Sequence, residues 1–451
     1  MRLRSCNHGL KYLACQFILL MAACAPPPDL TDVKVSLSAG SVGVGAQPPV
    51  PRLAQSEFGQ RVRAAVETNP NLAQSATRLK VADANETAAK GAFLPRVSSG
   101  INARSQRINS DIADFTPYLR VSQLVYDGGA ASGELAAAQA RVLESQGGQL
   151  QTAAALTLAA IEAYVVVLDR RKVLEISDRN VKVHEEIVRQ ITERTAQGVG
   201  SSADVLTARS RMADARTQLA DAKAWVDRAE AQYQEVFGRP PGTLATPVAA
   251  PKLARSDSQI VLDSPQVRRA NAALVVAQAE HSAAIARRQP GVEIAAFADR
   301  NDSNNANFGV DFSVNYELDS TGQRRAAIAA AQAQVREAEF ARETLIREIR
   351  RELEFIRSDQ SAGAVRLQAA RLAVQANAES VEAARAQFTI GRRTLVEILD
   401  AQRDYVNAQQ RLILAEQSFF LTNYAALSLT GDILDYLGIS IKNLGGELWP
   451  N

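Results

Sequence analysis

Glu397 and Asp400 stand three residues apart in the stretch TIGRRTLVEILDAQRD (389–404), a spacing that puts both carboxylates on one face of a helix. Paired acids of this kind serve as general acid and base, as metal ligands, as helix caps, or as the charged lining of an opening. Catalysis or metal binding would need further ligands or a nucleophile. The chain of 451 residues holds three histidines and three cysteines. His8 lies in the N-terminal leader described below. His184 and His281 stand alone on helical stretches, where they are expected to be solvated. His184 opens HEEIV, which lacks the second histidine of a zinc-protease motif. Gly198-Val-Gly200-Ser-Ser-Ala203 has the spacing of a dinucleotide fingerprint, but helix rather than strand precedes it. No Walker lysine follows a glycine loop. The sequence offers no catalytic constellation, no metal site and no cofactor site, which leaves capping and the lining of an opening.

The elements that position these acids come in duplicate. RTAQGVGSSADVLTARSRMADARTQL (194–219) aligns with QFTIGRRTLVEILDAQRDYVNAQQRL (387–412) at an offset of 193 residues, which pairs Gly198 with Gly391, Asp204 with Glu397 and Ala208 with Ala401. The same offset holds at Gly129/Gly322 and Gly238/Gly431. Upstream it becomes 195, at Pro70/Pro265, Pro95/Pro290 and Val97/Val292. A length change between residues 97 and 129 points to a loop tip, where insertions are tolerated. Thr394 and Glu397 have the form of a capping box, and Ser201 and Asp204 repeat it. Asp400 aligns with Thr207, so the repeat supplies only one such carboxylate per chain. Capping and lining are compatible, because a capping carboxylate keeps its charge.

Each half is expected to run through a helix (71–93; 265–288), two alternating segments, a very long helix (130–195; 323–388), a glycine break and a last helix (201–238; 394–431). The long helix would measure about 100 Å. Helices of that length bury their stripe only against one another. The simplest packing stacks the two shorter helices end to end against the long one, as a coiled-coil rod. A chain with only 5% aromatics and long Ala-, Gln-, Arg-, Glu- and Leu-rich stretches fits this plan.

The alternating segments are of another kind. In NFGVDFSVNYEL (307–318), Phe308, Val310, Phe312, Val314, Tyr316 and Leu318 face one way, and Asn307, Gly309, Asp311, Ser313, Asn315 and Glu317 face the other. Strands are expected at about 96–107, 116–126, 291–300 and 307–318. Their length and their one greasy face match tilted transmembrane β-strands. Lipid tolerates only closed barrels, because an open edge leaves backbone groups unpaired. Four strands cannot close one, since the smallest use about eight, so the barrel must be shared between protomers.

At the N-terminus, Arg2, Arg4 and Lys11 precede the apolar run YLACQFILLMAA, which ends at Cys24. The run suits a signal sequence and is too short to span a bilayer. LMAAC resembles a bacterial lipobox, with Cys24 as the acylated first residue of the mature chain. Cys6 and Cys15 fall in the leader, so no disulfide is expected. The domain plan is then a signal at 1–23, a flexible tether at 24–55, a first helix–hairpin–helix repeat at 56–238, a linker at 239–257, a second repeat at 258–431 and a tail at 432–451. A net charge of +2 implies no nucleic-acid partner.

LVYDGG (124–129), DVLTA (204–208), GRRTLVEILDAQ (391–402) and VNAQQ (406–410) resemble the TolC family of outer-membrane efflux proteins. The resemblance covers roughly residues 56–435. It implies a fold that is mainly α with a transmembrane β part. Three chains would each give four strands to a twelve-stranded β-barrel, and the helices would form a periplasmic tunnel. It also implies a passive, non-enzymatic duct in outer-membrane lipid, working with an inner-membrane pump and a periplasmic adaptor (membrane fusion) protein in efflux or type I secretion.

The same resemblance places Glu397 and Asp400 at a periplasmic constriction, as rings of carboxylates. It places Asp204, Phe388 and Arg393 in a latch between helix turns. Phe388 and Ala203 stand where a family member carries hydroxyls, so the closed state is expected to be weaker and to lean on an Asp204–Arg393 pair. Gly198, Val199, Ile390 and Gly391 become adaptor-contact tips. The main rival is a periplasmic adaptor-like coiled-coil protein, which would lack strands long enough to span lipid. An envelope enzyme would need a nucleophile or a metal cluster. Neither half carries a Met or His stripe of the kind that handles metal ions.

Overall fold

A computed structural model describes residues 30–31, 50–105, 113–251, 256–300 and 306–439. The signal at 1–23, Cys24, most of the expected tether, the hairpin tips and residues beyond 439 lie outside them. Helices α1 (Pro51–Ala54), α2 (Glu57–Glu67) and α3 (Pro70–Lys90) lead to strands β1 (Arg96–Ser105) and β2 (Ala113–Tyr126), then α4 (Ala130–Ala196) and α5 (Ser202–Phe237). The second half runs α6 (Asp257–Asp263), α7 (Pro265–Ala286), β3 (Gly291–Arg300), β4 (Ala306–Asn315), α8 (Gln323–Thr389) and α9 (Leu395–Thr430), and α10 (Asp432–Leu437) follows. The long helices and all four strands overlap the expected ranges, with β2 beginning at Ala113 rather than 116 and β4 ending at Asn315 rather than 318. Seven residues separate β1 from β2 and five separate β3 from β4, so the change of offset falls between the strands of a hairpin.

The chain forms two compact units. The first contains Ala76–Gly148 and Gln266–Leu345 and carries the sheet. Its strand order is β1-β2-β3-β4, each neighbour antiparallel. Pairing of β2 with β3 joins the two halves of the repeat, and one cross-sheet row runs Val97, Val121, Ala296, Val310. That row belongs to an apolar face that is largely exposed towards the hairpin ends. Phe308, Val310 and Phe312 are 81%, 69% and 65% exposed. Among the described residues β1 pairs only with β2 and β4 only with β3, so both edges of the sheet are open there.

The opposite face carries the ion pair Arg120–Asp311 at 3.4 Å. It also carries two aromatic rings laid over glycines. A Cβ on Gly309 would come within 2.4 Å of the Phe297 ring, and one on Gly100 within 2.8 Å of Tyr118. Each ring is the direct cross-strand partner of its glycine, so the ring covers backbone that a side chain would otherwise cover. Behind the sheet, α4 and α7 approach closely through small residues. Gly133 sits against Ala283, and Ala136, Ala137 and Ala279 form the apolar contact. The ion pairs Arg141–Glu280 and Arg287–Glu134 flank it.

The second unit contains Ala39–Ser75, Gln149–Pro265 and Ile346–Asn451. Its core includes a cluster of aromatic rings. Phe58 packs edge-on to Tyr164 at 5.0 Å and to Tyr424 at 6.2 Å between ring centroids, and Tyr233 stacks on Phe237 at 3.9 Å. Two of these three buried tyrosines also tie down the linker between the repeats: the Tyr164 hydroxyl donates to the Ala245 carbonyl at 2.8 Å and the Tyr424 hydroxyl to the Val248 carbonyl at 2.7 Å.

Two expected ends are corrected here. The tether was expected to run to residue 55 and the tail to begin at 432. Instead α1 and α10 pack together, with the Val50 N–H donating to the Tyr436 carbonyl at 3.2 Å. The Arg63 guanidinium reaches the Leu437 carbonyl at 3.0 Å. Leu53, Ile433, Leu434 and Leu437 are fully buried. Elements this short carry too few turns for their periodicity to be read in the sequence. Among the described residues α4 is the one helix long and apolar enough to cross a membrane, and 56% of its apolar window is buried, as in a core helix.

Candidate functional site

Both long helices end in the same way. After α4, Gly198 takes φ 76°, its N–H donates to the Thr195 carbonyl at 3.0 Å, and the Val199 N–H donates to the Arg194 carbonyl at 2.9 Å. After α8, Gly391 takes φ 75°, its N–H donates to Phe388 at 3.0 Å, and Arg392 donates to Gln387 at 2.8 Å. This double closure needs a left-handed residue just past the helix. No atom lies within 4 Å of a Cβ built on either glycine, so conformation and not space requires it. The turns leave Val199 and Ile390 61% and 64% exposed.

Three residues further on, the next helices start with the expected capping boxes. Glu397 Oε2 accepts from the Thr394 N–H at 2.8 Å and from its hydroxyl at 2.9 Å. Asp204 Oδ2 accepts from the Ser201 N–H at 3.4 Å, a weaker version of the same device. The helix ends meet in an apolar cluster of Ile187 and Ile191 from α4, Ala208 from α5, Ala384 from α8, and Leu395, Ile398 and Leu399 from α9.

The acids sit on the open side of this cluster. Glu397 is held below the usual carboxylate range, chiefly by the Thr394 N–H and then by its hydroxyl, with the Arg393 charge adding. It stays ionised at neutral pH. Asp400 pairs with Arg403 at 3.2 Å, and the same guanidinium reaches Asp404 at 3.4 Å. Asp400 is therefore accompanied by a cation, Arg403, that sequence reasoning did not single out.

The expected latch is built differently. The Asp204 carboxylate is taken by its own capping amide, and Arg393 Nε donates to Gln387 at 2.9 Å, so the Asp204–Arg393 pair is not made. Each group finds a partner within six residues, which needs no closure of a long loop. Of the three residues, Phe388 is the one that reaches the other turn. The Arg194 guanidinium lies 4.6 Å from its ring centroid, a cation–π contact where a hydroxyl was missed.

A second tie went unread. Gln402, 4% exposed, donates from Nε2 to Asn180 Oδ1 at 3.2 Å and accepts from Arg385 at 3.3 Å. It joins α9 to α4 and α8. At the repeat offset these residues align with Arg209, Ala373 and Thr192, so the tie has no twin.

His184 is also corrected. Expected in solvent, it is 6% exposed, and its Nδ1 has no hydrogen-bond partner. Burial, and then the charge of Arg211, hold its pKa below the ordinary 6.5, against the pull of Asp214. The alanine-rich faces of α4 and α5 give too little polarity contrast to mark which side is buried.

The family model described as outer membrane efflux protein matches residues 62–239 and 258–430. Outer membrane efflux protein BepC of Brucella suis is 26% identical over 420 residues, covering 88% of this chain and 90% of its own. Protein CyaE of Bordetella pertussis is 26% identical over 432 residues, covering 88% of each chain. The CmeC outer membrane channel of Campylobacter jejuni has the same fold, with a TM-score of 0.79 at 13% identity over 91% of this chain and 95% of that one.

Two outcomes follow from the geometry. Gln402→Leu leaves the buried Asn180 side chain without its Gln402 partner, and is expected to lower stability by about 1–3 kcal/mol, read from the denaturant midpoint of the purified protein. A double-mutant cycle with Asn180→Ala should show coupling; additive effects would mean the tie contributes nothing. For His184, the native state holds the neutral form while the unfolded chain takes a proton near pH 6.5. The unfolded state thus binds more protons below that pH, and stability falls as the pH drops from 6.5 towards the depressed native value. Comparison of wild type with His184→Leu across pH 5–8 should show a shallower acid slope in the variant.

Proposed function

The chain belongs to the outer membrane efflux protein family, and from that premise we propose that it is one subunit of a homotrimeric, passive exit duct. The duct serves an inner-membrane pump through a periplasmic adaptor protein. The sheet is the observation that carries this reading. It has one exposed apolar face and two open edges, and three copies joined edge to edge would close twelve strands with every backbone group paired. An adaptor-like protein would have no use for such a face. The name of the Brucella suis relative, an outer membrane efflux protein, supports efflux as the transport class.

In this reading the exposed turns at Gly198, Val199, Ile390 and Gly391 meet the adaptor, and acylation at Cys24 adds an anchor to the barrel. Glu397 and Asp400, brought together around a threefold axis, form the charged lining of the narrow end. Rings of carboxylates attract cations and repel one another as the opening narrows. Arg403, paired to Asp400, limits both effects. Phe388 and Arg194 hold the two turns of one subunit together, while Asp204 and Arg393, each satisfied locally in this structure, are available to partners in other states.

Reversal potentials across planar bilayers under a salt gradient test the lining. Glu397→Gln with Asp400→Asn should lower the preference for cations over anions by a factor of about two or more, and Arg403→Ala should raise it. Unchanged selectivity in both variants would remove these residues from the constriction.

A further inference from the structure

The base of the second hairpin holds a cleft that the transport reading does not use. The apolar stripe of β4 does not stop with the strand at Asn315. Tyr316 and Leu318 keep its alternation and are 59% and 75% exposed. At the start of β1, Phe93 and Leu94 are likewise 46% and 64% exposed. The greasy face of the sheet therefore ends in exposed aromatic and aliphatic side chains, as at a membrane–water interface.

Beside Tyr316 opens a cleft of about 680 Å³ between the end of α7 and the start of α8. Its apolar wall is Ile285, Pro290 and Tyr316, and its cations are Arg288, Arg324 and Arg325. Arg324 pairs with Glu317 at 2.9 Å and Arg325 with Asp319 at 3.3 Å. The amides at the start of α8 are already taken, since Asp319 accepts from the N–H groups of Arg324 and Arg325 at 3.1 and 3.2 Å. Three guanidiniums against two carboxylates leave one positive charge in the cleft. The surplus is Arg288, which is exposed and has no side-chain partner among the described residues.

We propose that this cleft binds the phosphodiester headgroup of an anionic phospholipid. Arg288 is the principal contact, Arg325 assists, and the acyl chains run along Tyr316, Leu318 and the β4 stripe. The inference rests on the reading that the sheet lies in the outer membrane. A soluble phosphate would use the guanidiniums and leave the apolar wall wet. A lipid uses both, because its phosphate and its chains are joined in the same order as the cations and the stripe. Arginine is suited to the role, being always charged and able to present a planar fork to phosphate oxygens.

Native mass spectrometry of the full-length protein in neutral detergent tests this, with titration by phosphatidylglycerol, phosphatidylcholine and inorganic phosphate in separate arms. Wild type should take up phosphatidylglycerol in preference to phosphatidylcholine. Arg288→Ala should weaken phosphatidylglycerol binding about fivefold and leave phosphatidylcholine unchanged. Arg325→Ala should weaken it less. Equal retention of both lipids, or a preference that survives both substitutions, would overturn the site. Displacement of phosphatidylglycerol by millimolar inorganic phosphate would reassign it to a soluble anion and overturn it too. Insertion into phosphatidylcholine vesicles is read in parallel. Wild type that inserts without a phosphatidylglycerol preference refutes the lipid site alone, and wild type that does not insert refutes the outer-membrane reading on which it rests.

Discussion

Unpaired backbone amides and carbonyls at the two edges of the sheet are the constraint on which the rest of the structure depends. In water such an edge is a liability for aggregation. In hydrocarbon each unsatisfied group costs several kcal/mol. A sheet whose apolar face leaves Phe308, Val310 and Phe312 exposed belongs in hydrocarbon, and four strands offer no way to close on themselves. The internal repeat then has a clear role. Each half contributes one hairpin, the β2–β3 pairing fuses the two, and β1 and β4 are left as the surfaces that must find other copies.

The helices carry a related asymmetry. The two halves use the same chemistry to turn around: a left-handed glycine that closes the long helix, followed by a capping box that opens the next. The side chains just inside the second helix differ between the halves. Asp400 replaces Thr207, Gln402 replaces Arg209, and Arg403 replaces Ser210. A duplicated scaffold has thus kept its turn geometry and diverged at Asp400 and at the buried Gln402 tie between helices. Gln402 has a structural part in this. Its side chain ties α9, on which the acids ride, to both α4 and α8, and a buried amide with both ends bonded fixes register more sharply than alanine and leucine can.

Much of this was legible in the residues, for reasons that differ by element. The helix and strand bounds followed from periodicity backed by the repeat, since each half checks the other. The two-residue change of offset falls between the strands of a hairpin, where seven residues in one half match five in the other. The capping boxes were local in sequence and therefore readable. What escaped was set by distance along the chain. Asn180 and Gln402 are 222 residues apart, and Arg63 and Leu437 are 374 apart; nothing in either neighbourhood names the other. The Asp204–Arg393 pair failed for the converse reason, because both groups had a nearer partner. His184 was misread because alanine on both sides of a helix blurs the line between inside and outside.

The central claim is that β1 of one copy pairs with β4 of another, and oxidative cross-linking in cells tests it directly. Within one chain these strands are three inter-strand steps apart, about 14 Å, well beyond the roughly 7 Å that a disulfide can bridge. Chains carrying Ser99→Cys on β1 and single cysteines scanned along β4 should therefore yield covalent ladders that stop at three chains. A folded single chain that stays dissolved without detergent and forms no such ladder at any position would contradict the account.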